Sequence, residues 1–398
     1  MYFTTGMSSI LCSIPAVFLQ IGILTAPAPL GCLVEAAERW QSDGILATVP
    51  IANDRSFLSI PVSIGGEPHT FALDTGSTHT TLDNGHIGAL KRSGRSGNVR
   101  TARGSQIDIV KYIAPEIKIE QMVCRGPMDV NCLDLGPLER GMGIELDGIL
   151  GMDVLKQYVV HFDFDNGIAM FLDPALAARP PGTLVNMELD ATDFPCIFGQ
   201  AGDGNNTVFR LDTGLTGTGG FDAALFESLK AAGETTGTGF SVLTVEADGA
   251  KLSKEQGRCL RFAISGLVYN NLVLSCGRRN VLGLAFLARH RVTFDFTRGK
   301  MYLDPGKTFA FRDRTDYEGV GIRSGESGRK LVVKVVPKSI ADTAGMRVGD
   351  EVLEINGKEA RTIPLLLLNR MLSLSREDNL VFKVKRGLNA ETIVFPGG

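Results

Sequence analysis

One stretch of this chain is written twice, and the repetition limits what the chain can fold into. Phe71-Ala72-Leu73-Asp74-Thr75-Gly76-Ser77-Thr78 has a counterpart in Phe209-Arg210-Leu211-Asp212-Thr213-Gly214-Leu215-Thr216. In each copy a Phe and a Leu flank a variable position, which is the alternation of a strand, and a Thr-Gly turn then leaves the aspartate at the strand's tip. An Asp-Thr-Gly tripeptide alone is a weak signal, so the sequence around it has to decide. Asp147-Gly148-Ile149-Leu150-Gly151 leads to Val160-His161-Phe162-Asp163-Phe164 and ends at Met170-Phe171-Leu172-Asp173-Pro174. In the second half Asn280-Val281-Leu282-Gly283 leads to Val292-Thr293-Phe294-Asp295-Phe296 and ends at Met301-Tyr302-Leu303-Asp304-Pro305. The order is the same, and Gly151 stands as far before Phe162 as Gly283 before Phe294. Such a duplication predicts two copies of one small all-β lobe.

Two carboxylates presented in this way can face each other across a pseudo-twofold axis, share one proton and hold a water between them. Two Asp-Thr-Gly motifs, each followed by an apolar-apolar-Gly element (Ile149-Leu150-Gly151 and Val281-Leu282-Gly283), resemble the aspartic peptidases, both pepsin-like and retropepsin-like, over roughly residues 50–305. The resemblance implies a mainly β, two-lobed aspartic-peptidase β-barrel fold. It makes Asp74 and Asp212 the catalytic pair, supported by Thr75, Gly76, Ser77, Thr213 and Gly214. In that family the apolar-apolar-Gly strand threads the loop carrying the aspartate, and the Thr after each Asp bonds across the lobe interface. The sequence departs from the family at Leu215, where a Ser or Thr is usual; a hydroxyl there, as at Ser77, would bond its own aspartate. The loop around Arg103-Gly104-Ser105-Gln106 stands where a substrate-covering flap would sit, with Asp248-Gly249 as the corresponding tip in the second lobe.

After Pro305 the pattern changes. Gly319-Val320-Gly321-Ile322 precedes Leu331-Val332-Val333-Lys334-Val335-Val336, then Ser339 to Gly345, a strand closing at Asn356-Gly357, a helix opened by Pro364 and a last strand from Leu380 to Lys385. This order resembles a PDZ domain over roughly residues 312–398. The resemblance implies that Gly319, Val320, Gly321 and Ile322 offer backbone amides to a peptide carboxylate, with the peptide adding a strand beside the following one. Read as a dinucleotide loop these glycines are weak, because no strand-then-helix unit of the right type follows.

The expected divisions are a signal peptide or membrane anchor over 1–36, a first lobe over 50–174, a linker over 175–182, a second lobe over 183–305 and the PDZ domain over 312–398. Met1 to Val34 carries no charged side chain, and any of cleaved signal, anchor or lipidation at Cys32 places the protein outside the cytoplasm, periplasmic or secreted, with membrane association through the N-terminus as one reading. Residues 35–55 read as a charged lead-in. A net charge of −3 offers no basic patch and no reason to propose nucleic acid as a partner. The partners expected are a polypeptide substrate and peptide termini at the PDZ domain. Cysteine spacing shows no CxxC pair and no His cluster, so no metal and no cofactor is expected. Local disulfides, Cys124 with Cys132 and Cys259 with Cys276, are the pairings export would allow. With only five histidines and no nucleophile-base arrangement, serine or cysteine hydrolysis is poorly supported. Two other classes stand beside the endopeptidase: a catalytically silent peptide-binding envelope protein that keeps the two-lobed shape, and a structural protein in which the PDZ domain does the main work.

Overall fold

The computed structural model describes residues 40–398 apart from 41, 53, 89, 101–105, 127, 205, 241–243, 246–250, 253, 312, 314–318, 374–377 and 398. The N-terminal leader with Cys32, the flap-tip residues Arg103, Gly104 and Ser105, and Asp248-Gly249 lie outside the described residues.

The chain is mainly β, and the two halves of the repeat meet in one sheet. Strands Ile45–Pro50, Ile168–Leu172, Val159–Asp163, His290–Asp295, Lys300–Pro305 and Thr183–Leu189 lie side by side in that order within a 13-stranded sheet. At the centre Val160 pairs with Phe294, His161 with Thr293 and Phe162 with Val292. Val160 is equivalent to Val292 in the repeat, and Phe162 to Phe294. This register is therefore the one a twofold axis passing between His161 and Thr293 demands. Every residue of Val159–Asp163 and Ile168–Leu172 is buried, as expected for near-continuous apolar strands covered on both faces. Trp40 covers one side, packing on Val159, Ile168, Met170 and Leu172. Phe162, Phe171 and Phe294 join the main core on the other, and that core runs unbroken through both lobes.

The lead-in expected over 35–55 is in part a strand: Ile45–Pro50 pairs with Ile168–Leu172, burying Ala47 and Val49. Its short apolar alternation was masked by the charged residues on either side. In the first lobe, a hairpin of Ser59–Ile64 and Glu67–Leu73 turns through Gly65 and Gly66, both with left-handed φ (62° and 94°) that a side chain would resist. Strands Arg92–Arg100 and Gln106–Ile113 pair as the two legs of the hairpin that leads to the expected flap tip. Between Leu172 and Thr183 the chain makes turns only.

The C-terminal region has its own sheet, with Val320–Ser324, Lys330–Val335, Glu351–Ile355, Leu380–Arg386 and Asn389–Phe395 in that order and Lys358–Glu359 paired to Glu351–Ile355, and its own core. Its last strand was not anticipated, because all of Asn389–Phe395 is exposed except Ile393 and Phe395. This region is not a loose appendage. The helix Leu365–Ser373 sets Leu366 against Phe57, Ala72, Leu135, Met142 and Leu146 of the first lobe.

The disulfides guessed from local spacing do not form: Cys124, Cys132, Cys196, Cys259 and Cys276 are all free thiols. Cys259 stands opposite Leu272, while Ser275, next to Cys276, stands opposite Gln256. The register thus holds the two sulfurs several residues apart, at about 3.4 Å per residue. Cys132 lies in Asp129–Leu133 and Cys124 follows Met122–Val123, strands separated by several others in the sheet order.

Candidate active site

Each aspartate ends a strand that is held in place by the apolar-apolar-Gly element of its own half. Glu67–Leu73 runs parallel to Gly148–Leu150, with Leu73 opposite Leu150, and the Asp74 amide donates to the Leu150 carbonyl at 3.1 Å. Asn206–Asp212 runs parallel to Val281–Gly283 in the equivalent register, Leu211 opposite Leu282. The chain after each glycine then crosses under the aspartate turn: Met152 N–H donates to the Ser77 carbonyl at 2.8 Å, and Leu284 N–H to the Leu215 carbonyl at 2.7 Å. Glycine is required at this crossing. A Cβ on Gly151 would stand 2.6 Å from the His79 carbonyl carbon, and one on Gly283 would stand 2.6 Å from the Leu215 carbonyl oxygen.

Thr75 and Thr213 lock the two turns together. Thr75 N–H donates to Thr213 Oγ1 at 2.9 Å and Thr213 N–H donates to Thr75 Oγ1 at 3.0 Å. Each hydroxyl in turn donates to the backbone of the opposite lobe, Thr75 Oγ1 to the Leu211 carbonyl at 2.9 Å and Thr213 Oγ1 to the Leu73 carbonyl at 2.7 Å. Both threonines are 1% exposed. Four mutually satisfied bonds with no competing water hold the aspartate strands at a fixed separation.

That separation brings the carboxylates face to face. A Cβ built on Gly76 would lie 2.5 Å from Asp212 Cγ, and one built on Gly214 would lie 2.5 Å from Asp74 Cγ. Each motif's glycine is thus the floor on which the other motif's carboxylate rests. Gly76 N–H donates to Asp74 Oδ1 at 2.7 Å, and Leu215 N–H to Asp212 Oδ1 at 2.9 Å. Burial above all, and then the neighbouring Asp212, push the Asp74 carboxyl up to about 8. Amides of Gly76 and Gly214 pull the other way with less effect. The direction has a simple cause: two carboxylates this close cannot both ionise at modest cost, so the pair holds a proton and titrates as a unit. Both residues remain half-buried.

Ser77 behaves differently from expectation. Its hydroxyl donates to the His79 carbonyl, two residues further on, at 2.9 Å and so serves the turn rather than Asp74. Leu215, at the equivalent place in the second loop, has no hydroxyl, and its backbone N–H donates to Asp212 Oδ1.

Sequence reading missed several supports. After Asp74, Thr80 is clamped by Asp153, its amide to Oδ2 at 2.8 Å and its hydroxyl to Oδ1 at 2.7 Å. The second half has Thr218 in the same place but Ala285 where Asp153 would be. Thr218 instead donates to Asp313 Oδ2 at 3.0 Å, and Asp313 is held by Arg289 at 2.6 Å with both side chains buried. A residue from beyond the duplication therefore completes the second loop. Burial lowers Arg370, on the docked helix, to about 10, with Asp313, Arg289, Arg55 and Asp54 as its charged neighbours.

Residues 60–154 match the family model described as aspartyl protease, and residues 331–386 match the model of a PDZ domain. The chain carries an aspartyl protease domain and a PDZ domain. No curated protein matches it. The protease match contains Asp74 and Gly151 and stops before the second motif, whose equivalence rests on the geometry above. In the PDZ domain, Gly319 has φ +81° and its carbonyl accepts from Val336 N–H at 2.8 Å; all of Gly319, Val320, Gly321 and Ile322 are buried. One correction concerns the strand a peptide would join. Lys330–Val335 has neighbours on both sides, whereas Val320–Ser324 and Asn389–Phe395 are the two edges of the sheet. Added strands pair at edges, and of the two edges Val320–Ser324 is the one that carries the Gly319 to Ile322 loop.

Proposed function

We propose that the protein is an aspartic endopeptidase in which Asp74 and Asp212 activate a water molecule for attack on a peptide bond. The observation that carries the reading is the reciprocal packing of each motif's glycine under the opposite carboxylate, locked by Thr75 and Thr213. A scaffold that only binds has no physical need for two carboxylates held against each other. Their closeness keeps one proton on the pair, which gives one ionised oxygen to take a proton from water and one protonated carboxyl to polarise the scissile carbonyl. The attacking water's proton passes to the ionised carboxylate as its oxygen bonds to the carbonyl carbon. A proton is then returned to the leaving nitrogen as the C–N bond breaks, and no covalent enzyme intermediate forms. Substrate lies as an extended strand between the lobes, and the PDZ domain takes a polypeptide end along Val320–Ser324.

The same reading places the enzyme outside the cytoplasm, supported by the uncharged, largely apolar run from Met1 to Val34. Among the described residues no helix is long and apolar enough to cross a membrane.

A second reading, a catalytically silent peptide-binding envelope protein, is favoured by the Ser77 hydroxyl being turned to His79 and by Leu215 in the second loop. The two are separated by incubating a denatured protein pool, across a range of pH, with the chain lacking residues 1–36 and with its Asp74→Asn and Asp212→Asn variants. Cleavage by the parent that disappears in both variants supports the peptidase. A folded parent that binds peptide and cuts nothing at any pH supports the silent protein.

A further inference from the structure

The first lobe brings together three side chains that lie far apart in sequence and take no part in the aspartate site. His69 sits on Glu67–Leu73, Asp147 immediately precedes Gly148–Leu150, and His86 closes the 3-10 turn Asn84–His86 that follows strand Thr81–Asp83. His86 Nε2 is 2.8 Å from Asp147 Oδ1, and His69 Nδ1 is 3.7 Å from Asp147 Oδ2. The two imidazoles meet edge to face with centroids 4.7 Å apart, and one ligand atom from each of the three residues falls within a sphere of 4.8 Å mutual distance.

We infer that His69, His86 and Asp147 form a binding site for a divalent transition metal of the zinc or cobalt type. The donor set of two neutral imidazole nitrogens and one carboxylate oxygen is what such ions take. Metal–nitrogen and metal–oxygen lengths near 2.0–2.2 Å in a tetrahedron require donor atoms about 3.3 Å apart. The His86 nitrogen is 2.8 Å from Asp147 Oδ1 and the His69 nitrogen 3.7 Å from Asp147 Oδ2, so each imidazole already stands near one oxygen of the carboxylate, one closer than that value and one farther. Closing onto an ion asks the donor atoms, which lie within 4.8 Å of one another, to draw together by side-chain rotation, and His86 is exposed.

The carboxylate is already fixed from behind. Thr70 N–H donates to Asp147 Oδ2 at 2.7 Å, Asp147 N–H donates to the Thr70 carbonyl at 2.9 Å, and Asp83 N–H donates to the Asp147 carbonyl at 2.9 Å. Such outer bonds orient a ligating carboxylate. Three protein donors at a partly exposed rim leave the remaining position to water.

The ion would tie the strand that ends in Asp74, the apolar-apolar-Gly element threaded beside it and the strand Thr81–Asp83 at one end. These are the elements that set the height of the Asp74 turn. Asp74 itself lies five residues along from His69, about 16 Å in a strand, so the metal takes no direct part in hydrolysis and its role is to brace the lobe. This site departs from the metal-free expectation, and it stands whether or not the aspartate pair proves active.

The test uses the chain without a histidine tag, stripped with chelator and titrated with Zn²⁺ in a calorimeter and with Co²⁺ followed by visible absorption. The expected result is one saturable site per chain, a cobalt band of low-symmetry four- or five-coordinate type, and a zinc-dependent rise in melting temperature. His86→Ala, at an exposed position that leaves the fold intact by circular dichroism, should weaken binding by more than the roughly 10–100-fold that loss of an outer-shell partner costs, as should His69→Ala. His79→Ala, at an exposed histidine outside the cluster, should bind as the parent does. Absence of saturable binding in the parent, or equal affinity in the parent and His86→Ala, overturns the proposal and leaves the cluster as a His–Asp ion pair.

Discussion

Replacing Thr75 by Val removes one hydroxyl, nearly preserves shape, and strikes the lock between the lobes. The Thr75 hydroxyl accepts from Thr213 N–H at 3.0 Å and donates to the Leu211 carbonyl at 2.9 Å, and at 1% exposure no water replaces it. An orphaned buried N–H costs about 1–3 kcal/mol, and the carbonyl's lost bond about 1 kcal/mol more, so Thr75→Val should destabilise by about 2–4 kcal/mol. Thr75→Ser keeps both bonds and loses one buried methyl, at about 1 kcal/mol. The chain's one tryptophan is a suitable reporter, because Trp40 packs on the sheet that joins the lobes, with its ring centroid 5.0 Å from that of His161. With a urea dependence of about 3 kcal/mol per molar, the midpoint followed by Trp40 emission should fall by about 1 M in the Val variant and by about a third of that in the Ser variant. A Val variant as stable as the Ser variant would refute the view that these hydroxyls hold the lobes together.

The raised Asp74 carboxyl carries a pH signature. Its folded value, about 8, lies above the unfolded value of about 4, so the native state binds the extra proton between them. The stability linked to that proton is complete below about pH 4 and is lost as pH rises through about 8. Urea midpoints of the parent should fall across this window, and Asp74→Asn, which has nothing to titrate there, should flatten the fall. An unchanged slope counts against a shared proton. Asp313→Ala should cost about 3–5 kcal/mol, because it leaves the buried Arg289 cation without its carboxylate. It also strips Thr218 of its acceptor, so the proposed proteolytic activity should fall even at temperatures where circular dichroism shows the fold intact. An effect on stability alone would deny Asp313 its part in shaping the second loop.

What the sequence made legible was what it repeats locally. The aspartate strands, the threaded Leu-Gly elements and the paired threonines are each encoded within a few consecutive residues, and their twin copies identify one another. Features assembled by strand pairing were not legible. Asp313 supports the second loop from outside the repeat, and His69, His86 and Asp147 meet only because three strands share a register. The disulfide expectation failed for the same reason: closeness along the chain says little about which residues a register places opposite each other. Docking of the PDZ helix through Leu366 depends on two surfaces that fit, and neither surface has a motif.

The pairing at the centre of the joining sheet carries a consequence about symmetry. In a dimer of identical chains, any residue on the twofold axis meets its own copy, so the axis can be filled only by groups that complement themselves. Here the axial positions hold an imidazole and a hydroxyl, His161 Nδ1 and Thr293 Oγ1, 2.8 Å apart. Burial drops His161 to about 4 and keeps it neutral, an uncharged ring suited to a sealed interior. In one polypeptide that position is freed from self-complementarity and is filled by unlike partners. Two copies of either half alone would set imidazole against imidazole or hydroxyl against hydroxyl there.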